Sequence, residues 1–245
     1  MKTLILAAGY ATRLYPLTEN FPKPLLKVQE KSILDWLVDD IDESGLSEEY
    51  IVVSNHKFAA HFQAWAEGKP QHIVVVDDGT STNGTRLGAV CDIQFAIEQL
   101  HLDENLLVIA GDNLLDFSLC GFLRYAAGKK TSCVMRFYQP DAQKLLKAGV
   151  LTVGEDDRIL RMTEKSPEPE THWICPPFYY FTREDVRRVK EAVASGCGTD
   201  APGSFIAWLC TRTAVHAMEM PGRRYDIGDL RSYEEVQREY KGIVK

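Results

Sequence analysis

The sequence predicts a three-layer α/β/α fold on a mostly parallel central sheet, with a small α/β portion added toward the C-terminus. Two observations carry this. Up to about residue 140, short aliphatic runs alternate with amphipathic helical stretches, the pattern of strands joined by right-handed helical crossovers. Beyond that point the texture changes to a hairpin-like segment and a proline-rich stretch.

Taken in order, Leu4–Ala8 is a short aliphatic run suited to a strand buried on both faces. "SILDWLVDDIDESGL" puts Ile33, Leu34, Leu37, Val38 and Ile41 on one helical stripe, and Gly45 is its stop. "YIVVSN" reads as strand, "FAAHFQAWAE" as helix, "HIVVVDD" as strand and "RLGAVCDIQFAIEQL" as helix. "NLLVIAGD" is a second aliphatic run ending in Gly-Asp, followed by a helix in "SLCGFLRYAAGK" and a strand in "TSCVMRF". "GVLTVGEDDRILRMTEK" predicts a hairpin turning at Glu155–Asp156–Asp157, and "EKSPEPETHWICPP" an irregular segment. A strand then runs into a helix capped by Thr182, a further helix follows with Ser204 as its N-cap, and "AVHAMEM" is a strand. A turn at "YDIGD" leads into a C-terminal helix.

Composition narrows the function classes. With 245 residues, 45% hydrophobic and 26% charged, the chain is long enough for one large domain or two small ones. No stretch approaches the roughly 20 apolar residues of a membrane span, and the N-terminal run is too short for a signal peptide, so a cytoplasmic protein is expected. Six scattered cysteines without CxxC spacing predict reduced thiols, and six histidines without close pairing argue against zinc. A net charge of −7 argues against nucleic-acid binding, which needs phosphate neutralisation. It leaves room for a small phosphorylated substrate, and acidic residues could hold divalent cations.

Two features fall at strand ends, where open parallel sheets bind ligands: the loop Gly9–Arg13 and the turn Gly111–Asp112–Asn113. The loop is neither GxxxxGK[ST] nor GxGxxG. Ala7, Ala8, Gly9 and Ala11 nevertheless leave the backbone bare, so its N–H groups can approach an anion, and Arg13 can add a bidentate contact. The alternative is a tight turn with a solvated arginine. Lys23, between Pro22 and Pro24, has a fixed backbone that suits it to meet a phosphoryl group; the alternative is a plain proline turn. Asp112 and Asp226 also have a blander reading as turn caps.

"LAAGYATRLYPLTENFPKPLLKV" resembles the signature of the sugar-1-phosphate nucleotidylyltransferases, LAGGxGTRLxPLTxxxPKPLxxV. "VIAGDN", "AGVLTVGEDDRILRMTEKSPEP", "PPFYYFTREDV" and "RRYDIGDLRSYEEV" resemble four further segments of that family in the same order. The resemblance implies a Rossmann-like fold of the nucleotide-diphospho-sugar transferase type. It implies one nucleotidyltransferase domain over 1–245, with a nucleotide-binding half over about 1–140 and a sugar-phosphate-binding half over about 141–245. The implied reaction is Mg²⁺-dependent in-line transfer of NMP from a nucleoside triphosphate to a sugar-1-phosphate, releasing pyrophosphate. Arg13, Lys23 and Asp112 are the implied catalytic residues, and Asp112 with Asp226 the magnesium ligands. Leu6, Ala7, Ala8, Gly9, Tyr10, Ala11, Thr12, Arg13, Asp78, Gly79, Gly84, Thr85 and Gly111 are the implied nucleotide site. Asn113, Gly149, Glu164, Lys165 and Tyr179 are the implied sugar-phosphate site. The implied partners are the two substrates, with no nucleic acid and no membrane; a homo-oligomer is compatible with the family.

Several positions depart from the pattern. Ala11 stands where the family loop has its second glycine, its neighbour Tyr10 is bulky, and Pro177 replaces a glycine. "DDGTSTNGTRLGAV" lacks the glutamine by which thymidylyl- and uridylyltransferases read the base, and is closer to glucose-1-phosphate cytidylyltransferases. "SGCGTDAPGSFIAWL" matches no family segment. Two other readings stay open at this stage: transfer to a non-sugar phospho-alcohol such as phosphocholine, and a non-catalytic nucleotide or sugar sensor.

Overall fold

The computed structural model describes residues 1–244, which divide into two compact units. The first comprises residues 1–86, 110–121 and the segment from 221 onward; the second comprises 87–109 and 122–220.

In the first unit three parallel strands, Lys2–Leu6, Glu49–Ser54 and Ile73–Asp77, lie side by side in chain order. Leu4, Ile5, Ile51 and Val52 at their centres are fully buried, which explains the near-continuous aliphatic runs. The first strand ends at Leu6, two residues before the aliphatic run does. Ala7 N–H still donates to Val53 O at 2.9 Å, and the chain then leaves the sheet as a loop. Helix Ile33–Glu43 starts at a capping box, in which Ser32 and Asp35 each accept the other's backbone N–H, and Gly45 follows it at φ 65°. Helix Ala59–Glu67 joins the second strand to the third.

Two short ribbons complete this unit. Lys27–Val28 pairs with Lys31–Ser32, and Asn113–Leu115 pairs antiparallel with Arg224–Asp226. Helix Leu230–Glu239, capped by Asp229 where the sequence predicts a turn, brings Val236 and Tyr240 into a cluster with Leu14, Val28, Ile33, Leu114 and Ile227. The Trp36 ring meets Tyr240 edge-on at 5.2 Å.

The second unit is largely antiparallel. Phe178–Phe181 lies between Leu106–Ala110 and Ser132–Tyr138 and runs against both. Gly149–Val153 and Ile159–Glu164 form the predicted hairpin, and Trp173–Ile174 is a two-residue strand inside the segment read as irregular. Val215–Glu219 runs parallel to Ser132–Tyr138. Helix Ala89–Leu100 begins three residues after Arg86, because Gly88 at φ 93° is its N-cap. Thr182 caps Arg183–Val186 as predicted. Ser204 is not a cap: helix Gly203–Leu209 starts from Pro202, whose fixed φ near −65° suits a helix start, and Ser204 lies inside it. All six cysteines are free thiols.

Candidate active site

In the first unit the loop after Leu6 is shaped for close backbone approach. Ala7 and Ala8 are buried, Gly9 is exposed with nothing within 4 Å of where a Cβ would project, and Ala11 takes φ 45°. Ala11 O is held by the Thr18 hydroxyl at 2.8 Å. From Ala11 the chain enters a single 3₁₀ turn, Thr12–Leu14, which leaves Thr12 and Arg13 exposed. Leu6, Ala7, Gly9, Ala11 and Arg13 line a cleft of about 230 Å³ together with Lys23 and Asp112. Leu14, Pro24, Ile227 and Gly228 line it as well; all four lie within the quoted motifs, but the resemblance assigns none of them to the nucleotide site.

Lys23 opens a second 3₁₀ turn, Lys23–Leu25, with Pro22 as its cap and Pro24 inside it. The two prolines fix that backbone, and Lys23 is only 7% exposed. Its ammonium donates to Asp112 Oδ2 at 2.7 Å. Burial would raise the Asp112 carboxyl, but the adjacent Lys23 charge and hydrogen bond outweigh it and hold the group below the usual carboxylate range. Gly111, just before it, donates to Leu6 O at 2.9 Å, and a Cβ there would lie 2.8 Å from Ile5 Cγ2. Glycine is thus what lets Asp112 sit against the first strand.

Asp226 lies opposite Asn113 in the ribbon, one register step from Asp112, with its side chain 73% exposed. Its nearest cation is Arg224, at 3.9 Å. Asn113 is buried: its amide donates to Ala110 O at 2.9 Å and its Oδ1 accepts from Arg224 at 2.8 Å. The side chain therefore buttresses the Asp112 turn. Among the described residues no group of three or more His, Cys, Asp or Glu is gathered as a metal cage.

Beyond the second and third strands lie Asn55 and Asp78–Thr80. Asn55 donates to Ala8 O at 2.9 Å, and the Tyr10 hydroxyl donates to Thr80 O at 3.2 Å while its ring packs against Phe58. Tyr10, the bulky departure from the family loop, thereby ties that loop to the segment after Asp77. Asp78 accepts Thr80 N–H at 2.7 Å, and burial pushes its carboxyl up. Gly79 takes φ 76°, while Gly84 and Thr85 are exposed in a turn closed by the Thr85 hydroxyl on Thr82 O.

In the second unit Gly149, Glu164 and Lys165 come together at the end of the hairpin. Gly149 stands opposite Glu164, and a Cβ on it would lie 2.7 Å from Glu164 Oε2. Gly203 closes from the other side: its Cβ would lie 2.4 Å from the same oxygen. Burial raises the Glu164 carboxyl, with Lys165 opposing. Lys165 has φ 50° and pairs with Asp200 at 2.9 Å. Asp200 and Gly203 belong to the segment that matches no family pattern; its sequence suggests Asp200 as an acceptor contact, but nothing in it points to Gly203 beside Glu164. Tyr179 is buried and stacks on Phe181 at 5.9 Å, so its ring belongs to the core.

A family model described as nucleotidyl transferase matches residues 2–242. The chain belongs to the nucleotidyl transferase family. Among relatives, it is 24% identical over 240 residues to the UTP--glucose-1-phosphate uridylyltransferase AglF of Haloferax volcanii, covering 97% of this chain and 95% of that one. It is 25% identical over 230 residues to the bifunctional protein GlmU of Methanocaldococcus jannaschii, covering 93% of this chain but 51% of that one. Among solved structures, a UDP-glucose pyrophosphorylase complexed with UDP-glucose superposes with a TM-score of 0.80 at 19% identity over 96% of both chains. At that identity the likeness shows the fold. In this chain the first unit gathers bare backbone, a buried lysine and an aspartate at a strand end around one cleft.

Proposed function

We propose that this nucleotidyl transferase moves NMP from a nucleoside triphosphate to a sugar-1-phosphate, releasing pyrophosphate. The observation that carries the reading is the Lys23–Asp112 pair in the cleft lined by Ala7, Gly9 and Arg13: a cation and a carboxylate set against bare backbone. The backbone N–H groups of Ala8–Ala11 cradle the triphosphate, and Arg13 grips its oxygens. Lys23, which the prolines hold in place, offsets the charge that grows on the α-phosphoryl group as it is attacked in line. No side chain needs to act as a covalent nucleophile, because the acceptor phosphate oxygen is the attacking group.

Asp112 and Asp226 fit a magnesium ion, since both are hard oxygen donors and Mg²⁺ is commonly held by one or two carboxylates, with phosphates and water completing its shell. Such an ion supplies charge neutralisation at the α-phosphate and the leaving pyrophosphate. In the second unit Glu164 accepts hydrogen bonds from sugar hydroxyls, and Lys165 meets the acceptor phosphate. Gly149 and Gly203 leave Glu164 the space to do so.

The test is pyrophosphate release from the purified chain with Mg²⁺, each common nucleoside triphosphate and a panel of hexose-1-phosphates, with phosphocholine as control acceptor. Release that depends on a sugar-1-phosphate supports the reading. Release with phosphocholine alone, or none with any pair, overturns it.

A further inference from the structure

Cys133, Cys175 and Cys210 are buried, whereas Cys91 and Cys197 keep some contact with solvent. Cys91 stands in the first turn of helix Ala89–Leu100. Cys197 lies in the segment that matches no family pattern, between Gly196 at φ 77° and Gly198 at φ 86°.

The backbone of the second unit brings these two places together. The first N–H groups of a helix have no partner within it, and Gly88 offers no capping side chain. Ala89 N–H instead donates to Asp200 O at 3.4 Å, and Val90 N–H to Thr199 O at 3.0 Å. The approach is so close that a Cβ on Gly88 would lie 2.6 Å from Thr199 O. The Cys91 thiol shares a hydrogen bond with the Thr199 side chain, two residues beyond Cys197, and lies near enough to disfavour ionisation of the Cys197 thiol. Cys197 is not anchored from outside its own turn: its thiol donates to Gly198 O at 3.2 Å, and a glycine on either side lets the backbone readjust.

The same short segment reaches Lys165 and Glu164. Asp200 pairs with Lys165 at 2.9 Å, and Gly203 stands against the Glu164 carboxylate. A bond that fixes Cys197 to the helix therefore also fixes the residues that follow it.

We infer that Cys91 and Cys197 form a reversible disulfide by exchange with a low-molecular-weight disulfide such as oxidised glutathione, and that this bond fastens residues 197–203 against Lys165 and Glu164 and weakens acceptor binding. In the first step one protein thiolate attacks a glutathione sulfur, the glutathione S–S bond breaks and one glutathione thiolate leaves. In the second the other protein thiol gives up its proton, attacks the protein sulfur of the mixed disulfide and expels the second glutathione. Two protein thiols are thus oxidised while one glutathione disulfide is reduced to two thiols. Burial raises both protein thiols above the ordinary cysteine value, so exchange is slow at neutral pH and answers to sustained oxidation rather than a brief pulse. The effect on acceptor binding rests on the reading of Glu164 and Lys165 given under the proposed function; the disulfide itself does not.

The test is incubation of the full chain with oxidised glutathione at about pH 8.5, where a larger share of each thiol ionises, followed by intact mass, peptide mapping and steady-state kinetics. The expected product has lost the mass of two hydrogens and yields a cross-linked Cys91–Cys197 peptide. Its acceptor KM is expected to rise about fivefold or more with nucleotide affinity unchanged, and dithiothreitol should restore the original value. Cys91→Ser and Cys197→Ser should each keep the KM of the reduced enzyme and hold it through the same treatment. A chain that stays folded by circular dichroism yet forms no such bond, or pairs other cysteines, overturns the inference. So does a bond that appears only as the folded signal is lost. The bond with an unchanged KM overturns its control of the acceptor site. Absence of pyrophosphate release from the reduced chain overturns the transferase reading instead, and the mass measurement still decides the disulfide.

Discussion

Lys23 Nζ lies 2.7 Å from Asp112 Oδ2, joining a buried ammonium to a carboxylate 89 residues away in the chain. The two are counter-ions before any phosphate arrives, and the ammonium helps keep the carboxylate ionised and placed. Lys23→Ala and Asp112→Asn are each expected to lower kcat by about a hundred- to a thousandfold, the scale of losing one preorganised electrostatic partner. Steady-state pyrophosphate release checks this, and a variant within a few-fold of wild type contradicts the assignment.

The same pair sets an acid limit on stability. The Asp112 carboxyl is held low in the folded chain, so its contribution is present above the ordinary carboxylate pKa and disappears as pH falls through the depressed folded value. In Lys23→Met the main counter-charge is gone while Arg224 and the backbone bond remain, so the stabilisation gained above the ordinary carboxylate pKa shrinks. Urea midpoints measured from about pH 3 to pH 8 should diverge between wild type and Lys23→Met toward high pH. Parallel curves would mean that the pair does not control this titration.

Gly149→Ala and Gly203→Ala each push a methyl toward Glu164 Oε2 and Met162 Cε, the free ends of flexible side chains. These ends can swing away, so the melting temperature should fall only a few degrees, reflecting a cost of about 1 kcal/mol. The displaced carboxylate should nevertheless raise the acceptor KM about tenfold or more, while nucleotide affinity holds. A loss confined to stability would remove Glu164 from the acceptor site.

Gly88→Ala should behave in the opposite way. Its φ of 93° is hostile to a side chain, and a Cβ would meet Thr199 O, a backbone atom, at 2.6 Å. Backbone cannot swing aside, so a loss of roughly 2–4 kcal/mol is expected by thermal or urea unfolding.

Asp200 neutralises Lys165 at 2.9 Å, with both side chains about half exposed. Asp200→Asn should free the lysine and lower the acceptor KM about two- to fivefold at low salt, fading as ionic strength passes about 0.15 M. A KM that rises would instead make Asp200 an acceptor contact.

Local signals were the legible ones. Gly45, Thr182 and the turn at Glu155–Asp157 each impose a backbone geometry that their own residues dictate, and the structure has all three. Lys23 between two prolines, and Asp112 after a glycine, could likewise be picked out from neighbours alone. What escaped depends on distant partners. Trp173–Ile174 and Arg224–Asp226 are too short to show a period of two, and exist because Ser132–Tyr138 and Asn113–Leu115 accept them. Ser204 carries the right chemistry for a cap, yet Pro202 two residues earlier already starts the helix. Asp200 and Gly203 reach Lys165 and Glu164 across some 35 residues of chain. Tyr10 gains its meaning only from Phe58 and Thr80, which no pattern in the loop foretells.

The interrupted path of the first unit constrains how the nascent chain is made. When synthesis reaches residue 220, every segment of the second unit has been made, but Leu14, Val28, Ile33 and Leu114 still lack Ile227, Val236 and Tyr240. The unit that holds the Gly9–Arg13 loop is therefore begun before the second unit and completed after it. Until helix Leu230–Glu239 emerges, the exposed apolar faces beside the Gly9–Arg13 loop are those a chaperone would be expected to hold.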